Sequence, residues 1–163
     1  MRVLVVVASK HGSTTGIGDA IADVLAARGH EITRATPAEV TGLDGVDAVV
    51  LGSAIYMSQW LEPARGMVAR LGPELRRLPV WMFSSGPVGT EVKATQETAR
   101  IHPLLDAVEP LDYQVFAGVV DRQVLNLRER SIVRMVGASD GDFRDWDAIT
   151  SWAGQIADTL AAI

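Results

Sequence analysis

Six consecutive residues near the amino terminus, Ser9, Lys10, His11, Gly12, Ser13 and Thr14, combine hydroxyls, a cation and a glycine. Hydroxyls and backbone N–H groups at a helix start form a cradle for an anion. The helix dipole adds positive potential there, and the glycine allows a close backbone approach. The same residues would also serve as an ordinary helix cap. A second segment, running through Ala54, Ile55, Tyr56, Met57, Ser58, Gln59 and Trp60, places two large aromatic rings beside a methionine. A flat heteroaromatic ligand could pack against Tyr56 or Trp60. Alternatively, the Trp60 ring closes the core beneath its own loop. A third segment, Ser84, Ser85, Gly86, Pro87, Val88, Gly89 and Thr90, is rich in small residues. Its main chain could hydrogen-bond the polar edge of such a ring, or it could be a plain connector.

These segments need a scaffold that brings them together, and the hydrophobic pattern supplies one. Apolar, mostly Val-rich runs at 3–8, 48–53, 80–84 and 115–120 read as strands buried on both faces, and 31–35 alternates as an edge strand would. Between them, Ile17, Ala20, Ile21, Val24 and Leu25 follow helical spacing, with a stop expected at Gly29. A second helix is expected over 61–71, with Pro63 in its first turn. A third is expected over 95–108, broken or kinked at Pro103. A last one carries the stripe Ile149, Trp152, Ala153, Ile156, Leu160 and Ile163, opened by Asp145 or Asp147. Strands alternating with helices predict an α/β fold. The expectation is a doubly wound, five-stranded parallel sheet of order 2-1-3-4-5, in three α/β/α layers, forming one domain over 1–163. In such a sheet ligands sit beyond the carboxyl ends of the strands, and the three segments above all follow strands.

Composition narrows the chemistry. The 163 residues carry 15 Lys+Arg against 20 Asp+Glu, a net charge of −5, which disfavours a nucleic-acid-coating protein. There is no cysteine, so neither a disulfide nor a thiolate metal site can form, and redox chemistry would require a bound cofactor. His11, His30 and His102 lack a metal-ligand pattern, and no metal is expected. GxxxxGK[ST] is absent and the glycines at 12, 16 and 18 do not spell GxGxxG. The amino terminus does not read as a signal peptide and no apolar run approaches a membrane span, so a cytoplasmic protein is expected.

A phosphate cradle, an aromatic wall and a Gly/Ser loop at three strand ends describe a site for a phosphorylated tricyclic ring. The chain thus resembles flavodoxin-fold FMN proteins. Residues 9–14 are similar to their phosphate loop [ST]-x-[ST]-G-x-[ST], departing at His11, where a hydroxyl residue is usual. Residues 49–56, Ala117-Gly118 and Asp145-Trp146 resemble, more narrowly, the menaquinone-dependent protoporphyrinogen IX dehydrogenase family. That resemblance implies FMN as cofactor, a reduced organic substrate such as a tetrapyrrole, and a quinone as electron acceptor. It also implies peripheral contact with the inner face of the plasma membrane. The implied cofactor contacts are residues 9–14, then Ala54, Ile55, Tyr56 and Trp60, then residues 84–89. An electron carrier working between redox partner proteins, without a substrate of its own, is the alternative.

Residues 121–143 form an insert beyond the minimal pattern, with an extra helix expected near 127–136. Between Arg122 and Arg134 the arginines Arg122, Arg128, Arg130 and Arg134 stand against Glu129 alone, beside apolar residues. A basic amphipathic segment can rest on an anionic bilayer or attract a propionate-bearing substrate. Equally, its arginines can be solvated or paired with Asp140, Asp142, Asp145 and Asp147.

Overall fold

The computed structural model describes residues 1–86, 94–120, 141–142 and 144–163. Five parallel strands form the central sheet: β1 (Arg2–Ala8), β2 (Glu31–Ala35), β3 (Ala48–Tyr56), β5 (Val80–Gly86) and β6 (Asp112–Ala117), in the order β2-β1-β3-β5-β6. Numbered among themselves, these five have the expected order 2-1-3-4-5. A short β4 (Gln59–Trp60) turns back antiparallel onto the end of β3.

The apolar strand runs have a direct cause, because both faces of the sheet are covered. Val3, Val5 and Val7 of β1 pack toward helices α1 (Ser13–Ala27) and α4 (Trp146–Ala162). Leu4, Val6 and Ala8 pack on the opposite side with α2 (Glu62–Leu75) and α3 (Ala94–Val108). An alternating strand would leave one of these layers without an apolar seat. On the first side Phe83, Phe116 and Trp152 meet edge to face or tilted, with centroids 5.6–6.1 Å apart. This triad joins β5, β6 and α4.

Helix α1 ends as expected, with Gly29 in the left-handed region (φ 91°) and the His30 N–H returning to the Leu25 carbonyl. Asp145 is the residue that caps α4, its carboxylate accepting from the Ala148 N–H at 3.0 Å. The apolar stripe of α4 stops at Leu160, since Ile163 lies at the exposed chain end.

Four expectations are corrected. Helix α3 is not broken at Pro103 but runs through it, with the Pro103 ring exposed while Ile101 and Val108 are buried, so the missing hydrogen bond falls on the solvent side. Helix α2 continues past residue 71 to Leu75 and contains Pro73. Strand β3 extends three residues beyond 53, so part of the presumed loop is sheet. The final sheet strand begins at Asp112 rather than 115 and stops at Ala117. Its first residues, Asp112, Tyr113 and Gln114, are polar or amphipathic because β6 is an edge strand and only half-buried there.

After Gly118, β7 (Val119–Val120) leaves the sheet and pairs antiparallel with β8 (Gly141–Asp142). The expected helix at 127–136 lies outside the described residues. No helix among the described residues is long and apolar enough to cross a membrane.

Candidate functional site

Parallel register sets the geometry at the carboxyl ends of the strands. Ala8 pairs with Ser53, Ser53 with Ser84 and Ser84 with Val115, so β1, β3, β5 and β6 finish side by side. The segments after β1, β3 and β5 therefore emerge from one end of the sheet, as the strand pattern required.

The first segment is a loop that feeds α1. The Gly12 N–H donates to the Ser9 Oγ at 3.0 Å, which folds the loop back on itself. Gly12 then takes φ 88° at the helix start, a conformation that costs a residue with a Cβ. Among the described residues no side chain caps α1. The first-turn N–H groups consequently lack the intrahelical acceptors that later residues have.

Thr14 in that turn is 1% exposed, and its Oγ1 has no hydrogen-bond partner among the described residues. A buried hydroxyl without a partner is costly, and such groups are uncommon in folded proteins. An anion seated at the start of α1 would satisfy it. Ser9 and Ser13 are half-buried, while Lys10, His11 and Gly12 are exposed. This donor set suits a phosphate better than a carbon–oxygen edge, because it combines hydroxyls, N–H groups and a helix dipole.

The second segment is more ordered than expected. Tyr56 and Gln59 pair across a two-residue turn, and Met57 (φ 51°) and Ser58 (φ 62°) both adopt positive φ. That is the geometry of the hairpin turn that matches strand twist, here made without glycine. Tyr56 is half-buried, and the Lys10 ammonium stands 4.5 Å from its ring centroid, tying the first segment to the second. Ala54 is half-buried and Ile55 is 7% exposed.

Trp60 corrects the expectation that its ring lines a ligand. It is 1% exposed, and its Nε1–H donates to the Ser84 Oγ at 2.7 Å. Ser84, expected at a ring edge, is fully buried between Trp60 and the Tyr113 hydroxyl at 2.6 Å. Both side chains are structural: an indole N–H inside the core needs an acceptor, and Ser84 is the one within reach. Ser53 acts likewise, accepting from the Leu61 N–H at 3.0 Å and donating to the Ala54 carbonyl. Together they lash the β3–β4 hairpin to the sheet, leaving Tyr56 as the half-exposed aromatic of this segment.

In the third segment Ser85 and Gly86 are buried at the end of β5. A Cβ on Gly118 would lie 2.3 Å from the Gly86 carbonyl oxygen, so only glycine lets the chain leave β6 this close to β5. Pro87, Val88 and Gly89 lie outside the described residues, as do Arg122, Arg128, Arg130 and Arg134.

Arg144 is a residue that sequence reasoning missed. Its Nε and Nη2 hydrogen-bond the Asp142 carboxylate at 2.9 and 2.7 Å, and its Nη1 reaches the Ser13 carbonyl at 3.4 Å. Its guanidinium also lies 4.6 Å from the Trp146 ring centroid. Hydrogen bonding to Arg144 holds the Asp142 carboxyl below its ordinary range, and the carboxylate in turn raises Arg144. The only local signal was the alternation of acidic, basic and aromatic residues just before α4.

The family model described as a flavodoxin domain matches residues 4–147. The chain belongs to the flavodoxin-domain family. Among curated protein sequences, none matches it significantly. Of solved structures, this flavodoxin-domain protein is similar to a flavodoxin from the domain Archaea, with TM-score 0.62 and 14% identity over 99% of both chains. It is likewise similar to a flavodoxin of Streptococcus pneumoniae TIGR4, with TM-score 0.66 and 16% identity over 99% of both chains. Rubredoxin oxygen:oxidoreductase from Desulfovibrio gigas matches at TM-score 0.66 and 15% identity, over 99% of this chain and 36% of that one. Those identities establish a shared fold. The narrower protoporphyrinogen dehydrogenase resemblance finds no support among these matches.

Proposed function

We propose that this chain is an FMN-dependent redox protein of one flavodoxin-like domain, with the flavin phosphate held by residues 9–14. The observation that carries the reading is the buried Thr14 hydroxyl at the start of α1, without a partner or a side-chain cap among the described residues. An anion there supplies the partner that the described residues leave out. Ser13 and Thr14 would donate to the phosphate from hydroxyl and main chain, and Tyr56 would offer a ring for stacking. The half-buried Ala54, the main chain at Ile55 and the end of β5 at Ser85 and Gly86 would border the flavin. Trp60 and Ser84 hold that wall in place from behind.

FMN, when bound, supplies one- and two-electron transfer, which a chain without cysteine does not provide from thiols. The protein's own contribution is orientation, exclusion of water and electrostatics around the ring. In this reading electrons come from a reduced organic substrate of the porphyrinogen type and leave to a quinone. The excess of arginine between residues 122 and 134 and the sequence resemblance support that assignment. Peripheral membrane contact by the same segment belongs to it.

The test is reconstitution of purified protein with FMN, followed by a visible spectrum and anaerobic titration with porphyrinogen donors and quinones. A bound flavin spectrum with donor-dependent quinone reduction is expected. A colourless protein that stays colourless after FMN is added would overturn the cofactor assignment. Bound flavin that exchanges electrons with redox proteins but with no quinone would replace the enzyme by an electron carrier.

A further inference from the structure

Two features of the cradle oppose each other. An anion site at the start of α1 has a carboxylate, Asp142 of β8, close by through Arg144. Between the two stands Arg144. Its guanidinium is held by contacts from three directions: the Asp142 carboxylate, the Ser13 carbonyl in the first turn of α1, and the Trp146 ring face. Its seat on α1 is Gly16, where an added Cβ would lie 2.8 Å from Nη1. The Arg144 side chain is 19% exposed, against 47% for Asp142. Lys10, the other cation of the cradle, is exposed and reaches over Tyr56 from a flexible stem. Arg144 is thus the positioned and less screened charge at the helix start. A partly buried charge interacts several times more strongly than one in bulk water.

We propose that Arg144 is the fixed countercharge of the cradle: it cancels the Asp142 carboxylate, which would otherwise repel a phosphate-bearing ligand but not its unphosphorylated form. The proposal rests on reading residues 9–14 as a phosphate site. A guanidinium anchored from three directions does not need to move when the dianion arrives, so its charge is in place without reorganisation. Without it, the Asp142 carboxylate would face an incoming dianion and repel it.

The experiment titrates refolded or flavin-stripped protein with FMN, riboflavin and inorganic phosphate, the last followed by thermal shift. The forms compared are wild type, R144K, R144Q and D142N/R144Q, each at low and high salt. R144Q should weaken FMN about tenfold, the scale of one partly buried charge contact, and flatten the salt dependence. Riboflavin affinity should change less than about twofold, because it lacks the phosphate charge. R144K should lie between, and D142N/R144Q should recover most of the loss, since the repelling carboxylate leaves with its partner.

Equal losses for FMN and riboflavin would overturn the proposal, showing a brace rather than a charge. No loss with either would overturn it as well. A wild-type protein that binds neither flavin overturns the FMN reading instead. In that case a phosphate response weakened by R144Q and restored by D142N/R144Q upholds the countercharge, and a missing phosphate response removes both.

Discussion

Thr14 concentrates the functional argument in one hydroxyl. A buried O–H without a partner destabilises the ligand-free protein, and the same group strengthens binding of an anion that can accept from it. Thr14→Val removes the hydroxyl while keeping the branched shape. The ligand-free variant should be more stable than wild type by about 1 kcal/mol. FMN affinity should fall by roughly tenfold or more, as for a hydrogen bond to a charged group. Urea denaturation reads the first effect and flavin titration the second. A hydroxyl that served only the fold would move stability downward and leave affinity alone. Ser84 is the contrasting case at this scale. It occupies a strand end where a ligand contact was expected, yet its oxygen is committed to the Trp60 N–H and the Tyr113 hydroxyl. Residue type alone does not separate these two roles, because serine and threonine donate equally well inward and outward.

Two elements carry strain or space that the site uses. The β3–β4 turn places Met57 and Ser58 in the left-handed region, where side chains cost energy and glycine does not. Ser58→Gly should raise stability by about 1 kcal/mol, measured by chemical denaturation, provided the hairpin keeps its geometry. A loss of stability would show that the Ser58 side chain makes contacts worth more than its strain. On α1, Gly16 is a helix-interior glycine that serves as the seat for Arg144. Alanine there gains about 1 kcal/mol of helix propensity, and the obstructing atom is the far end of a flexible side chain. Gly16→Ala should therefore hold or raise the melting temperature while weakening FMN, because the guanidinium is displaced but retained. A fall in both would mean that Arg144 braces the fold more than it serves the ligand.

At the scale of the molecule, Asp112 ties the edge strand to the last helix. Its carboxylate accepts from the Trp152 indole N–H at 2.9 Å and from the Gln114 amide at 3.0 Å. Burial pushes the Asp112 carboxyl up, but hydrogen bonds from Gln114, Trp152 and the Tyr113 N–H outweigh it and hold the carboxyl below its ordinary value. A carboxyl lowered by folding contributes stability that is full above its unfolded range and is lost as pH falls through the folded value. Wild type should exceed Asp112→Asn in stability near neutrality. That margin should shrink on acidification below about pH 4, where the unfolded carboxyl begins to protonate. A margin independent of pH would place the effect in packing rather than in charge.

The sequence by itself determined the layers. Strand runs without alternation can exist only in a sheet covered on both faces, and helices at helical spacing between them impose parallel strands and crossovers. That was enough to place residues 9–14 and 54–60 and the end of β5 at one end of the sheet. It was not enough to say which side chains face outward there. Trp60 turned inward because the β3–β4 hairpin, invisible in a run of mixed residues, folds it over the core. The last sheet strand began three residues early because an edge strand tolerates Asp112 and Gln114. Arg144 acquired its role only when a return strand carried it against the first turn of α1, 131 residues away along the chain. Periodicity records which neighbours a segment must have, whereas tertiary contact decides which individual atoms meet, and binding depends on the atoms.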